Sequence, residues 1–317
     1  MKKMTVSDCA AFFRENDNFC ILTHRRPDGD TLGSAAALCR GLRQLGKTAH
    51  ILQNPEVTER YLPMMAGLTT QKPTKTDTLV CVDVASDSML PMAFADYADK
   101  IALRIDHHAS SASFTQRELV DGKSAACGEL IYEILMELGV TLDTPLANAV
   151  YTAVSTDTGC FRFANTTAHT LQVAAACHEV SSDLYDLNNL YFATVSLAKL
   201  QIQSYMIENA IFLQNRQVCI CPIPLEIEEK LGVTEDDMDN ISGYPRTIAG
   251  VKMAATLRME RDTGKVKLSL RAAPGYDAGK ICATFGGGGH AGAAGASMAC
   301  TMDEAVATLI EALPIIN

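Results

Sequence analysis

The sequence predicts an α/β protein in which a parallel-sheet domain is joined by a connector helix to a smaller mixed-sheet α/β domain. Three observations lead there. At 317 residues the chain is about twice the usual domain size. Its first half alternates short apolar runs with helical patterns, as a parallel sheet built through right-handed crossovers requires. Its second half is richer in strand-like segments and carries a run of glycines. The expected boundaries are 1–185, 186–214 and 215–317.

Residues 19–23 are the first apolar run, followed by a polar turn and a helical pattern over 32–45 that stops at Gly46. Strands are expected at 48–52, 78–82 and 101–105. Helices follow over 128–138, stopped by Gly139, and over 145–155, opened by Pro145. Residues 182–214 read as one helix, the connector, with Leu197, Leu200 and Tyr205 on its buried stripe. Then come a strand at 218–221, an acidic helix at 225–231 and a strand at 251–259. The turn Asp262-Thr263-Gly264 leads into a strand at 266–271, and a helix over 302–313 closes the chain. Arg104 is atypical for a buried strand: it pairs with a carboxylate behind the functional site, or it marks an edge position.

Composition narrows the function. The net charge of −10 disfavours a grip on long nucleic acid, which calls for a basic face, and favours small anionic substrates drawn to bound cations. No apolar run approaches 18 residues, and the lysines after Met1 are not followed by an apolar stretch, so neither a membrane span nor a signal peptide is expected. The 11 cysteines are scattered and mostly set in apolar runs, which suits buried thiols in a reducing cytoplasm. Cys219 and Cys221 share one strand face; with no second Cys/His pair, two core or edge thiols are a better reading than zinc.

Four acidic or histidine clusters follow apolar segments in the first half: His24 with Asp28 and Asp30, then Asp83, then Asp106-His107-His108, then Asp157. The carboxyl ends of strands in an open parallel sheet form the rim where ligands bind. Three clusters therefore converge on one rim, and the fourth reaches it from a helix end. Taken singly, Asp83 or Asp157 reads as a turn former or helix cap. Together, these carboxylates and imidazoles would repel and perturb one another without a counter-charge. Two divalent cations about 3.5–4 Å apart remove that conflict and are a common device for phosphate-ester hydrolysis. Mixed carboxylate and imidazole donors suit Mn2+, with Mg2+ or Co2+ as alternatives.

The stretches His24-x-x-Pro27-Asp28-x-Asp30-x-x-Gly33-Ser34, Val82-Asp83, Asp106-His107-His108 and Asp157-Thr158-Gly159 resemble, in order, the four signature motifs of DHH phosphoesterases. The resemblance implies that His24 and Asp28 ligate the first Mn2+, that Asp30, His107 and Asp157 ligate the second, and that Asp83 bridges them. It implies that Asp106 orients His107 and that His108 faces the substrate phosphate. Phe285-Gly286-Gly287-Gly288-Gly289-His290 with Ala293-Ala294-Gly295, and Ser269-Leu270-Arg271 upstream, resemble the signature of the DHH-associated C-terminal domain. There Arg271 and His290 would hold substrate, beside the exposed backbone N–H groups of Gly286, Gly287, Gly288 and Gly289. Ala293-Ala294-Gly295 is expected to open a helix.

A chain with these two modules resembles the stand-alone group of oligoribonucleases that degrade very short RNAs (nanoRNA) and remove the 3′-phosphate of 3′,5′-bisphosphoadenosine (pAp). That implies a cytoplasmic, metal-dependent phosphoesterase acting on short RNA or small nucleotides, with a homodimer left open. The alternatives are a pApA or cyclic di-AMP phosphodiesterase and, with less weight because every presumed metal ligand is present, a non-catalytic nucleotide- or RNA-binding module.

Overall fold

The computed structural model describes residues 2–108, 113–238, 240–261 and 263–316. The chain divides into two compact units, Met1–Thr194 and Val195–Asn317. Among the described residues, the first unit holds seven strands: β1 (Lys2–Lys3), β2 (Phe19–Leu22), β3 (Ala49–Leu52), β4 (Thr69–Thr70), β5 (Thr78–Val82), β6 (Ile101–Asp106) and β7 (Arg117–Val120). Their order is β1-β7-β6-β5-β2-β3-β4, and every pairing is parallel. Parallel strands are covered on both faces, which is why Phe19–Leu22 is apolar and buried throughout. The helices are α1 (Val6–Glu15), α2 (Gly29–Gln44), α3 (Leu62–Met65), α4 (Cys127–Glu137), α5 (Thr144–Asp157), α6 (Ala168–Val180) and α7 (Leu184–Asn188).

A large core joins Ile21, Val80 and Leu103 of the sheet to Leu32, Leu38, Ile131 and Val150 of the helices. A smaller cluster containing Leu22, Cys81, Phe94 and Ile101 covers other strand side chains. Helices α2 and α5 pack so closely that a Cβ on Gly33 would lie 2.5 Å from the carbonyl oxygen of Ala149. Only a glycine fits there. A Cβ on Gly29 would likewise meet the Thr156 side chain, so the first turn of α2 lies against the last turn of α5.

The second unit is built on a mixed sheet of β8 (Ile211–Leu213), β9 (Val218–Ile223), β10 (Met253–Met259), β11 (Val266–Ala272), β12 (Gly288–Gly289) and β13 (Ala293–Met298), in the order β12-β13-β11-β10-β9-β8. Among the described residues only β9 and β10 pair in parallel. Helices α8 (Leu197–Glu208), α9 (Leu225–Leu231), α10 (Ala278–Ala283) and α11 (Met302–Ala312) accompany it. Apolar clusters form on the two faces, one around Leu257 and Leu268, the other around Ile202, Cys219 and Cys221. The Sγ atoms of Cys219 and Cys221 lie 3.7 Å apart.

Two expectations are corrected. Residues 182–214 are not one helix. A π-helical turn, Asn189–Ala193, follows α7, and Ser196 then caps a new helix by accepting the Lys199 N–H at 2.9 Å. That start sets a stripe through Ile202 and Met206, leaving Leu197 and Leu200 70% and 51% exposed; β8 then ends the helical stretch. Second, Ala293-Ala294-Gly295 opens a strand. Ala294, Ala296 and Met298 alternate into the core between β11 and β12, so the small residues serve close strand packing. β10 and β11 pair antiparallel as the expected turn requires; Asp262 of that turn lies outside the described residues.

Candidate metal centre

The sequence-predicted ligands meet at the carboxyl ends of β2, β5 and β6. Asp28 caps α2, its Oδ1 accepting the N–H groups of Asp30 (3.0 Å) and Thr31 (3.2 Å). The helix-cap reading and the ligand reading of this residue are therefore compatible. Asp30 points inward, 1% exposed. Its Oδ2 accepts the N–H of Cys127 at 2.7 Å, and its Oδ1 accepts the N–H of Gly128 at 2.9 Å and the hydroxyl of Ser34 at 3.1 Å. It thus satisfies the N-terminal donors of α4 that would otherwise be orphaned. Thr31 ties α2 to the sheet through its hydroxyl and the Val82 carbonyl at 3.0 Å.

Asp83 lies at the centre. His24 Nε2 is 3.4 Å from its Oδ2 and 3.6 Å from Asp28 Oδ1. His107 Nε2 is 3.5 Å from its Oδ1, 3.5 Å from Asp157 Oδ2 and 3.6 Å from Asp30 Oδ2. One oxygen of Asp83 thus faces each group. Ligand atoms of His24, Asp28 and Asp83 lie within 4.8 Å of one another, as do those of Asp30, His107 and Asp157; each trio could hold a metal ion. Asp83, His107 and His108 form a third such trio.

The donor set fits cations. Asp83 Oδ1 is buried and has no hydrogen-bond partner among the described residues. Burial and the charges of Asp83, Asp157 and Asp28 push the Asp30 carboxyl well above its usual range. Burial also raises Asp83, and raises Asp157 to about 6. Burial opposes a charged His24, but Asp28 and Asp83 outweigh it and carry the imidazole up to about 11. Buried carboxylates that resist ionisation together lack positive charge, and a divalent cation supplies it.

The two histidines of Asp106-His107-His108 have different partners. Asp106 does not orient His107. Its Oδ1 accepts from His108 Nδ1 at 2.8 Å, while His107 Nδ1 lies 3.1 Å from the Ser124 carbonyl. Adjacent residues at a strand end project oppositely, so the aspartate two positions before His108 shares its side. Burial works against the charge on Asp106, but His108 and Arg104 hold its carboxyl below the usual range. The Asp106 bond raises His108.

Three supporting residues escaped the sequence reading. Asn54, just past β3, donates from Nδ2 to the His24 carbonyl at 2.8 Å and to Thr23 Oγ1 at 3.0 Å. Glu118 on β7 pairs with Arg104 at 3.2 Å. Asn165 donates to the carbonyls of Ala125 and Asp157. For Asn54 and Glu118, both buried beside or on strands, a polar residue next to an apolar run was the available signal; Asn165, exposed between two helices, gave none.

The candidates of the second unit are arranged differently. Arg271 stands on β11, half-buried, its Nη1 3.3 Å from its neighbour's carbonyl, Leu270 O. Gly286, Gly288, Gly289 and His290 are exposed. Gly286 and Gly289 have φ of +72° and +144°. A Cβ on Gly287 would lie 2.2 Å from the Gly295 carbonyl oxygen, whereas one on Gly288 would meet nothing within 4 Å.

Residues 18–154 match the model of the DHH family, N-terminal domain, and residues 215–314 match the DHHA1 domain. A protein of Thermus thermophilus named bifunctional oligoribonuclease and PAP phosphatase NrnA is 33% identical over 297 residues, spanning 92% of this chain and 88% of that protein. An exopolyphosphatase-related protein of Bacteroides fragilis shares the fold at a TM-score of 0.86 and 21% identity, over 97% of this chain and 94% of that one. RecJ of Thermus thermophilus, solved in complex with Mn2+, aligns at a TM-score of 0.56 and 14% identity, over 97% of this chain and 54% of that one. By sequence match, fold and the convergence of its acidic and histidine clusters, this chain belongs to the DHH family of phosphoesterases.

Proposed function

We propose that the chain hydrolyses very short oligoribonucleotides and the 3′-phosphate of pAp, using two divalent cations, Mn2+ by preference. The observation that carries this is Asp83, whose two carboxylate oxygens face separate His/Asp trios. The 33% identical relative named for both activities supports the substrate class. His24 and Asp28 would hold one ion, Asp30, His107 and Asp157 the other, with Asp83 between. When bound, such ions lower the pKa of water and stabilise charge on phosphoryl oxygens. The chain's own part is to fix the donors. Asp28 and Asp30 are locked by helix ends, and His107 Nδ1 is paired with Ser124, which directs Nε2 to the carboxylates. Asp106 holds His108 by Nδ1, leaving Nε2 for a substrate phosphate. Arg271, Gly286 to Gly289 and His290 would grip the remainder of the substrate.

No helix among the described residues is long and apolar enough to cross a membrane. The test compares kcat/KM on pAp, pApA, a five-nucleotide RNA and cyclic di-AMP with Mn2+ supplied. Preference for pAp and short RNA is expected. Preference for cyclic di-AMP would replace the substrate assignment, and no turnover of any of them would favour a binding module.

A further inference from the structure

Arg104 is 1% exposed in the interior of a parallel sheet, between β5 and β7. A charge there must be matched on every side. Among the described residues its guanidinium reaches four places. Nη1 donates to the carbonyls of Val84 (3.3 Å) and Ala85 (3.0 Å), the two residues after Asp83. Nη1 also lies 3.8 Å from Asp106 Oδ2. Nη2 donates to Glu118 Oε2 at 3.2 Å, and the group stacks over Phe114 at 5.1 Å.

Glu118 extends the connection. Its Oε1 accepts the N–H groups of Phe114 (3.2 Å) and Thr115 (3.4 Å), and its Oε2 accepts the Ser113 hydroxyl at 3.0 Å. One buried pair therefore touches the segment leaving Asp83, the side chain of Asp106, and residues 113–115 beyond His108. Asp83 itself stands at φ +58°, a left-handed conformation that is unfavourable for a residue with a Cβ. Its N–H is tied to the Ile105 carbonyl at 2.8 Å. The next two carbonyls are the ones that Arg104 holds.

We propose that Arg104 is a positioning residue for the metal centre: it locks the turn that aims Asp83 and braces Asp106 behind His108, with Glu118 as its counter-charge. A lysine could replace the charge but not the forked reach to two carbonyls and two carboxylates. For its turnover readout the inference rests on the phosphoesterase reading above; for its metal-affinity readout it rests only on the donor geometry.

The test uses the full-length protein with R104K and the double variant R104M/E118Q, which removes both charges and so leaves neither partner of the pair buried alone. Metal-free protein is titrated with Mn2+ by calorimetry. kcat and KM are measured separately on pAp and on bis(4-nitrophenyl) phosphate, beside a thermal melt. The double variant should bind Mn2+ and turn over about 10- to 100-fold less well, the scale for losing a group that orients ligands, with KM little changed. R104K should fall between it and wild type. A folded double variant with wild-type Mn2+ affinity and wild-type kcat overturns the proposal, whatever its melting temperature. If the double variant does not fold, R104K decides by the same two readouts. A wild-type protein inactive on pAp would refute the substrate assignment, while the Mn2+ titration would still judge Arg104.

Discussion

The two units present their candidate residues in opposite ways. In the first, the presumed ligands other than Asp157 are buried or tied to fixed hydrogen-bond partners: Asp30 to the start of α4, Asp28 to the start of α2, His107 to a carbonyl. In the second, the one hydrogen bond of the Arg271 side chain among the described residues is to a neighbouring carbonyl, and the glycine run is largely exposed. The contrast fits the two roles proposed for these sites. Holding highly charged ions needs donors fixed before binding, because mutual repulsion would otherwise scatter them. Holding a nucleotide needs open backbone N–H groups and one fork-shaped cation, free until the ligand arrives.

The strongest break falls at Asp83. Asp83→Ala should lower turnover by about 1000-fold or more, the scale for losing a principal source of transition-state charge stabilisation. The protein should stay folded, because the side chain contributes charge conflict rather than packing. Metal content by plasma emission and a thermal melt check both halves. Near-normal turnover with metal retained would remove Asp83 from the centre.

His107 and His108 sharpen the comparison within the first unit. His107→Ala should lose metal and activity together. His108→Ala should keep its metal and lose about 100-fold in kcat, within the range for a group acting on the transferring phosphate. Equal metal loss in both would put His108 among the ligands, as the third trio allows.

Much of the first site was readable because aspartates and histidines at successive strand ends have few purely structural explanations in combination. The apolar runs before them locate the strands, and strand ends share a rim. The support was not readable. Arg104 meets Glu118 only because β6 and β7 pair in register, a relation that no local pattern records. Asp106 was assigned to His107, yet side-chain alternation gives it to His108. In the second unit, Ala293-Ala294-Gly295 has helix-forming composition, and pairing with β11 and β12 overrides it. The break at Ser196 went unseen because a serine inside a helical pattern carries weak information until its cap bond is visible.

Smaller effects belong to the second unit. Arg271→Ala should reduce kcat/KM on a dinucleotide by about 10-fold, as loss of one charge-assisted contact predicts, and leave bis(4-nitrophenyl) phosphate unaffected. The glycines then separate packing from binding. Gly287→Ala drives a Cβ into the Gly295 carbonyl and should destabilise the protein by about 1–3 kcal/mol, as overpacking does. Gly288→Ala faces open space. It should melt like wild type and lower kcat/KM on the dinucleotide only a few-fold. If Gly288→Ala has no effect on any substrate, the glycine run serves strand packing alone.

The central claim is that Asp83 stands between two cations. Crystals grown with Mn2+ and measured at the manganese absorption edge test it most directly. The account predicts two anomalous peaks in the first unit, one touching His24 and Asp28, the other touching Asp30, His107 and Asp157, with a carboxylate oxygen of Asp83 on each. A single peak, or two peaks that Asp83 does not join, would contradict it.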